Sequence, residues 1–182
     1  MIGRLPSTGL AAVLLIDPAA CMPTTQTTEI NQLLRPERVR IGLSGTSKED
    51  VINALVDVLE GHEDIDSLEA VRTAIFDRER IMSTGVGKQL GLPHAKTRAA
   101  TETVVAFATT DQPVQFGAID DEPIRLLLLL VGPEDHKSRH IKILGRISRL
   151  VSRDPLRKRL IAAEEPETVI DVLREGEKKL RG

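Results

Sequence analysis

The chain has 182 residues, 41% hydrophobic and 29% charged, enough to bury the core of one domain. Its 25 basic and 27 acidic residues are mixed along the chain, and it has three Phe but no Tyr or Trp. That balance argues against nucleic acid as a partner, since neither a basic surface nor a base-stacking platform is on offer. The one cysteine, Cys21, excludes an internal disulfide framework and suits a reducing, cytoplasmic compartment.

In chain order, residues 1–27 come first. Gly9 to Ile16 is apolar, follows Arg4 and precedes Cys21, a faint outline of a secretion signal. Asp17 cuts the apolar run short, and Pro18 stands where a lipoprotein signal wants leucine. A flexible extension, or a start placed too far upstream, is the expectation for this segment. No stretch approaches the ~18 apolar residues of a membrane span, so insertion in a membrane is not expected.

From there the elements alternate as in an α/β domain. Val39 to Leu43 predicts a short strand. Thr46-Ser47-Lys48-Glu49 predicts a capping box opening a helix with Val51, Ile52, Leu55, Val58 and Leu59 on one face, closed by Gly61. Asp66-Ser67-Leu68-Glu69 starts a second helix that runs to about Arg80. Thr103 to Thr109 and Arg125 to Val131 predict strands. Leu126 to Leu130 has no polar face and calls for a central strand covered on both sides. His136 to Arg153 predicts a long helix, and Pro155 and Pro166 each fit the first turn of a further helix.

Between the second helix and the Thr103 strand lies Ser83-Thr84-Gly85-Val86-Gly87-Lys88-Gln89-Leu90-Gly91-Leu92-Pro93-His94. Three glycines let the backbone take positive φ and bring N–H groups close to an anion. Pro93 fixes its own φ, presenting His94 at a rigid corner. Neutral imidazole is a nucleophile near pH 7. The segment could equally be a plain turn carrying a surface histidine. It is not a nucleotide P-loop, because Gln89 follows Gly87-Lys88 where Ser or Thr is needed, and it lacks the third glycine of a dinucleotide fingerprint.

His140 lies on the apolar stripe of the long helix with Leu144, Ile147 and Val151. It is read either as a hydrogen-bonded core histidine or as a site residue. His136 and His140 have the spacing of two zinc ligands on a helix, but without the protease glutamate or a cysteine no metal is expected. His62 and His136 are expected at the solvent-exposed surface, and Lys88 is expected to point to solvent.

Arg78-Glu79-Arg80-Ile81-Met82-Ser83-Thr84-Gly85-Val86-Gly87 and Leu90-Gly91-Leu92-Pro93-His94-Ala95 together resemble the active-site signature of the enzyme IIA domains of the bacterial phosphotransferase system. The class is that of fructose, mannitol and the nitrogen-regulatory members. Val104 to Phe107, Pro113 to Ala118 with Asp120, Pro123 to Val131 and His140 to Leu144 extend the likeness over about residues 28–180. Gly91 replaces the family's usual alanine, and Asp120-Asp121 replaces Asp-Gly, which leaves that turn's conformation open.

The resemblance implies a single-domain sandwich over residues 28–182, with a mixed β-sheet flanked by helices. It implies phosphoryl transfer through His94, with Arg78 neutralising phosphate charge, His140 donating a hydrogen bond, and Thr84 and the amides of Gly85 and Gly87 as lesser donors. No cofactor is implied. The implied donor is the phosphorylated histidine carrier protein and the implied acceptor is a IIB domain on a separate chain. Regulatory members would instead use the phosphorylation state of His94 to control binding to a transporter, kinase or transcription regulator.

Overall fold

The computed structural model describes residues 29–181, so the expectations for residues 1–27 lie outside the described residues. A short helix α1 (Ile30–Leu33) and a 3₁₀ turn (Pro36–Arg38) lead into strand β1 (Val39–Leu43). Two helices follow, α2 (Lys48–Asp57) and α3 (Leu68–Ile81). The glycine-rich segment then supplies three short strands, β2 (Gly85–Gly87), β3 (Leu90–Gly91) and β4 (His94–Lys96). Two long strands, β5 (Val104–Val114) and β6 (Ile124–Gly132), precede helices α4 (Lys137–Val151), α5 (Asp154–Ile161) and α6 (Pro166–Arg181). Among the described residues no helix is long and apolar enough to cross a membrane.

The strands form one mixed sheet in the order β1-β5-β6-β3-β2, with β4 also paired to β6. β6 is central as its composition requires, and Leu126 to Leu130 are all fully buried. Alternation along the strand splits them between two cores. Leu126, Leu128 and Leu130 pack with residues of α1, α4, α5 and α6, including Ile143, Ile147 and Leu173. Leu127 and Leu129 pack with α2 and α3 through Val51, Ile52, Leu55, Val71 and Ile75. Each such leucine contributes about 1.5–3 kcal/mol by burial. The result is a three-layer α/β sandwich, helices on both faces of the sheet.

The capping box of α2 sits one residue later than the sequence pattern suggests. Ser47 is the N-cap, and it exchanges hydrogen bonds with Asp50 rather than Thr46 with Glu49. Asp50 also accepts from the Thr46 N–H at 3.2 Å, so the carboxylate satisfies two orphan amides in this register. The Thr103 strand also runs past its expected end at Thr109, to Val114.

A larger departure concerns the glycine segment, which is neither an open loop nor a corner at Pro93. β2 and β3 form an antiparallel hairpin whose tip is Lys88-Gln89, both with positive φ (54° and 61°). β3 lies parallel to β6 through Leu90–Leu126 and Gly91–Leu127. β4 continues along β6 without any slip, pairing His94 with Leu130, Ala95 with Val131 and Lys96 with Gly132. β3 and β4 are therefore one strand broken at Leu92-Pro93, where proline has no N–H to give the ladder. The Pro93 carbonyl still accepts from the Leu130 N–H at 3.1 Å.

Candidate active site

Register decides where the imidazole goes. His94 stands opposite Leu130, whose side chain faces the α4 side of the sheet. α4 brings His140 to the same place, and the two rings lie 5.8 Å apart, tilted by 48°. Arg78, on the last turns of α3, closes a third side. These residues line a hollow of about 400 Å³ together with Lys96, Ile81, Ile141 and Leu144.

Within the half-buried His94 ring, Nδ1 lies 2.8 Å from the Leu92 carbonyl oxygen. A carbonyl only accepts, so Nδ1 carries the hydrogen and Nε2 keeps its lone pair. Burial holds the His94 pKa below the ordinary histidine value, the Leu92 bond opposes that shift, and Arg78 adds to it. The ring is thus a neutral nucleophile at pH 7.

His140 is 4% exposed, and among the described residues neither ring nitrogen has a hydrogen-bond partner. Burial, His94 and Lys96, in that order, push its pKa down to about 4. It is therefore neutral and carries one N–H to donate. A buried imidazole with nothing to bond to is costly unless a ligand supplies the acceptor. Gly132 leaves the ring its room, since a Cβ there would stand 3.4 Å from Nδ1.

Arg78 donates from one terminal nitrogen to the Met82 carbonyl at 3.0 Å, and no other hydrogen bond to its guanidinium occurs among the described residues. The remaining donors of the fork are open to an anion in the hollow. Lys96, two residues beyond His94 on β4, adds a second cation that inspection of the sequence did not single out.

Thr84, Gly85 and Gly87 do not line this hollow. Thr84 is buried, and Glu79 takes both its donors, the N–H at 2.9 Å and the hydroxyl at 2.5 Å. The Gly85 N–H donates to the Ser83 hydroxyl, and a Cβ on Gly85 would come within 2.7 Å of Ala118. Gly87 sits equally close to Asp120. Gly85 and Gly87 allow close backbone packing against residues 118–120.

Glu79, next to Arg78, is held by Thr84 and by Lys48, which is distant in sequence. Its other oxygen accepts from Lys48 at 2.8 Å, and Lys48 also donates to the Ser83 hydroxyl, which in turn donates to the Phe116 carbonyl. This buried carboxylate ties α2, α3 and the hairpin base together beside Arg78. The other expected surface groups divide. Lys88 is exposed at the hairpin tip, with Nζ 3.4 Å from the Ser152 carbonyl. His62 and His136 are both half-buried instead of exposed. His62 accepts from the Asp64 N–H at 3.1 Å, while His136 is the N-cap of α4 with Nδ1 shut off from solvent.

The chain matches the family described as phosphoenolpyruvate-dependent sugar phosphotransferase system, EIIA 2, over residues 32–176. It is 34% identical over 148 residues to the PTS system fructose-specific EIIA component of Haloferax volcanii, covering 81% of this chain and 96% of that protein. The PTS system fructose-specific EIIABC component of Bacillus subtilis is 30% identical over 150 residues, 82% of this chain, which spans 24% of that longer protein. The crystal structure of nitrogen regulatory protein IIA-Ntr from Neisseria meningitidis has the same fold, with a TM-score of 0.75 at 27% identity over 79% of this chain and 98% of that one. A neutral, tautomer-fixed imidazole beside cationic donors suits a phosphoryl carrier, and the chain belongs to the type 2 EIIA family of the sugar phosphotransferase system.

Proposed function

We propose that His94 is the phosphoryl acceptor, that the donor is the phosphorylated histidine carrier protein, and that the group passes on to a IIB domain in sugar uptake. One observation carries this reading: the free Nε2 of His94 faces a hollow that also holds an unbonded, buried His140. In the transfer, a bond forms from Nε2 to phosphorus while the donor's phosphorus–nitrogen bond breaks and the donor ring leaves with the electron pair. Charge spreads over the three equatorial oxygens of a loose transition state. Arg78 forks onto two of them, and the single N–H of His140 donates to the third. Thr84 and the amides of Gly85 and Gly87 act through the hairpin's packing and not as ligands. An Escherichia coli protein of the same fold, enzyme IIA-mannitol, has been solved in complex with phosphorylated enzyme IIB-mannitol (TM-score 0.68, 21% identity), which supports IIB as the acceptor. The domain so defined spans residues 28–182 and works in the cytoplasm.

The regulatory reading draws on the likeness to the Neisseria nitrogen regulatory protein. On that reading, adding about 1.5–2 negative charges at His94 switches an interface with a transporter, kinase or transcription regulator. The test of the site itself is direct. The full chain and its His94→Ala variant are incubated with enzyme I, the histidine carrier protein and labelled phosphoenolpyruvate. Wild type takes up acid-labile label and the folded variant takes up none. Label retained on the variant overturns the assignment.

A further inference from the structure

A second cluster of cations lies outside the His94 hollow and shares no residue with it. The 3₁₀ turn Pro36–Arg38 and the turn after α2 enclose a hollow of about 520 Å³ lined by Arg35, Arg38, Arg40, Val58 and His62, with Glu37, Glu60 and Glu63 also on its lining. Arg38 sets it apart from an ordinary surface cleft. It is 8% exposed, and among the described residues no hydrogen bond or ion pair reaches its guanidinium. Arginine is rarely buried to this degree without a partner, and its nitrogens, which are not sealed from solvent, keep what hydration they have on the side of the hollow they line. Burial, followed by repulsion from Arg35, works against its charge, and Glu37 and Asp64 offset part of this.

The three arginines share the lining with three glutamates, so what the hollow can bind turns on which donors stay free. His62 accepts from the Asp64 N–H through Nδ1, so its hydrogen is on Nε2, a further donor. Burial is the main cause of the lowered His62 pKa; Arg38 and, least of all, Arg35 add to it, while Asp64 and Glu63 oppose it, so charges of both signs act on the ring. Arg40 spends one nitrogen on the Glu37 and Val39 carbonyls, and Arg35 is exposed. The hollow therefore has a largely buried guanidinium with no acceptor among the described residues and its nitrogens open to solvent, two more guanidinium groups and an imidazole N–H. It also has carboxylates at its margin that can accept from hydroxyl groups.

We propose that this hollow is a binding site for a hydroxylated phosphate monoester, its phosphate held by Arg38 with Arg35 and Arg40, and its hydroxyls meeting Glu60 and Glu63. Guanidinium forks match phosphate oxygens two at a time, and a dianion balances more than one of them. The volume exceeds what bare phosphate fills, which leaves room for a polyol body against Val58. The site is independent of the phosphoryl-transfer reading, because it involves neither His94 nor any residue placed beside it.

The experiment titrates the full chain with glucose 6-phosphate, with inorganic phosphate and with sulfate, at constant ionic strength. The readouts are the Arg38 Nε–H and His62 ring resonances by NMR. Glucose 6-phosphate is expected to shift both saturably and to bind more tightly than inorganic phosphate, while sulfate binds weakest. Arg38→Met keeps the buried aliphatic stem and is expected to weaken binding by about tenfold or more, as loss of a charged hydrogen bond does. Arg40→Gln, at an exposed position, is expected to weaken it less, and it carries the test if Arg38→Met does not fold. Phosphoryl uptake by His94 should be unchanged in both variants. Equal response to all three anions, no saturable shift, or unaltered affinity in the arginine variants overturns the proposal. So does a free-state Arg38 resonance that moves in Glu60→Gln or Glu63→Gln, since the hollow is then closed by its own margin.

Discussion

The carbonyl oxygen of Leu92 stands 2.8 Å from Nδ1 of His94, and that contact settles which nitrogen of the ring can react. It consumes the ring's one hydrogen and leaves Nε2 free. The phosphorylated chain is therefore expected to carry its group on Nε2, as read from the ring nitrogen couplings in a ¹⁵N-labelled sample. The rate of uptake should be level near neutrality and fall as pH drops, because protonation removes the lone pair. With the His94 pKa lowered, the midpoint of that fall lies below the ordinary value of 6.5. A midpoint above 6.5, or phosphate on Nδ1, contradicts the geometry.

His140→Ala is expected to slow transfer by roughly ten- to hundredfold while His94 remains the labelled residue, since a charge-assisted hydrogen bond is worth about 1.5–3 kcal/mol. A pH series separates that loss from the cavity the substitution leaves. The buried ring has a pKa of about 4 in the folded chain, against 6.5 as the ordinary value. Between those values the unfolded chain binds the proton and the folded chain does not. Its contribution, of order 3 kcal/mol, is present above pH 6.5 and is lost as pH falls towards 4. Denaturant melts at stepped pH should show wild type losing stability over that window and the variant losing less.

Arg78→Lys should impair single-turnover transfer far more than Lys88→Gln. Lysine brings a point charge where two phosphate oxygens call for a planar fork. Lys88 stands at the hairpin tip and does not line the His94 hollow. Equal rates for wild type and Arg78→Lys would reduce Arg78 to the cap it already provides to the Met82 carbonyl.

Asp121 has a φ of 58°, the left-handed conformation that the Asp-Gly form of this turn would take with no Cβ penalty. Asp121 therefore holds a conformation that costs a residue with a Cβ more than it costs glycine. Asp121→Gly should raise stability by up to about 1 kcal/mol, offset by the greater freedom of glycine in the unfolded chain, as measured by urea titration. A loss of stability would mean that the freedom of glycine in the unfolded chain outweighs the relief of strain.

Elements with long apolar patterns were legible in the sequence, and those held by distant partners were not. Leu126 to Leu130 announced a central strand because five leucines in a row fit no half-exposed element. β2, β3 and β4 have two or three residues each, too few for any alternation, so glycines read as a loop close into a hairpin once β6 offers its edge. The two histidines and Arg78 could be picked out by motif. Glu79 could not be given its part, because Lys48 is 31 residues away and the ion pair exists only after α2 and α3 pack together. The Ser47–Asp50 cap shows the same limit locally, since the Thr46–Glu49 pattern satisfies the capping rule and only the folded helix puts the cap one residue later.

The unbroken register of β3 and β4 against β6 has a consequence for how this site can change. The position of His94 is counted from the central strand and not from the glycines before it. Removing or adding one residue between Gly91 and His94 would turn the imidazole to the opposite face of the sheet, among the side chains of α2 and α3, with every residue type still present. The hairpin itself, from Gly85 to Gly91, can lengthen at its Lys88-Gln89 tip without moving His94. Variation in such chains is thus free on one side of Gly91 and forbidden by parity on the other.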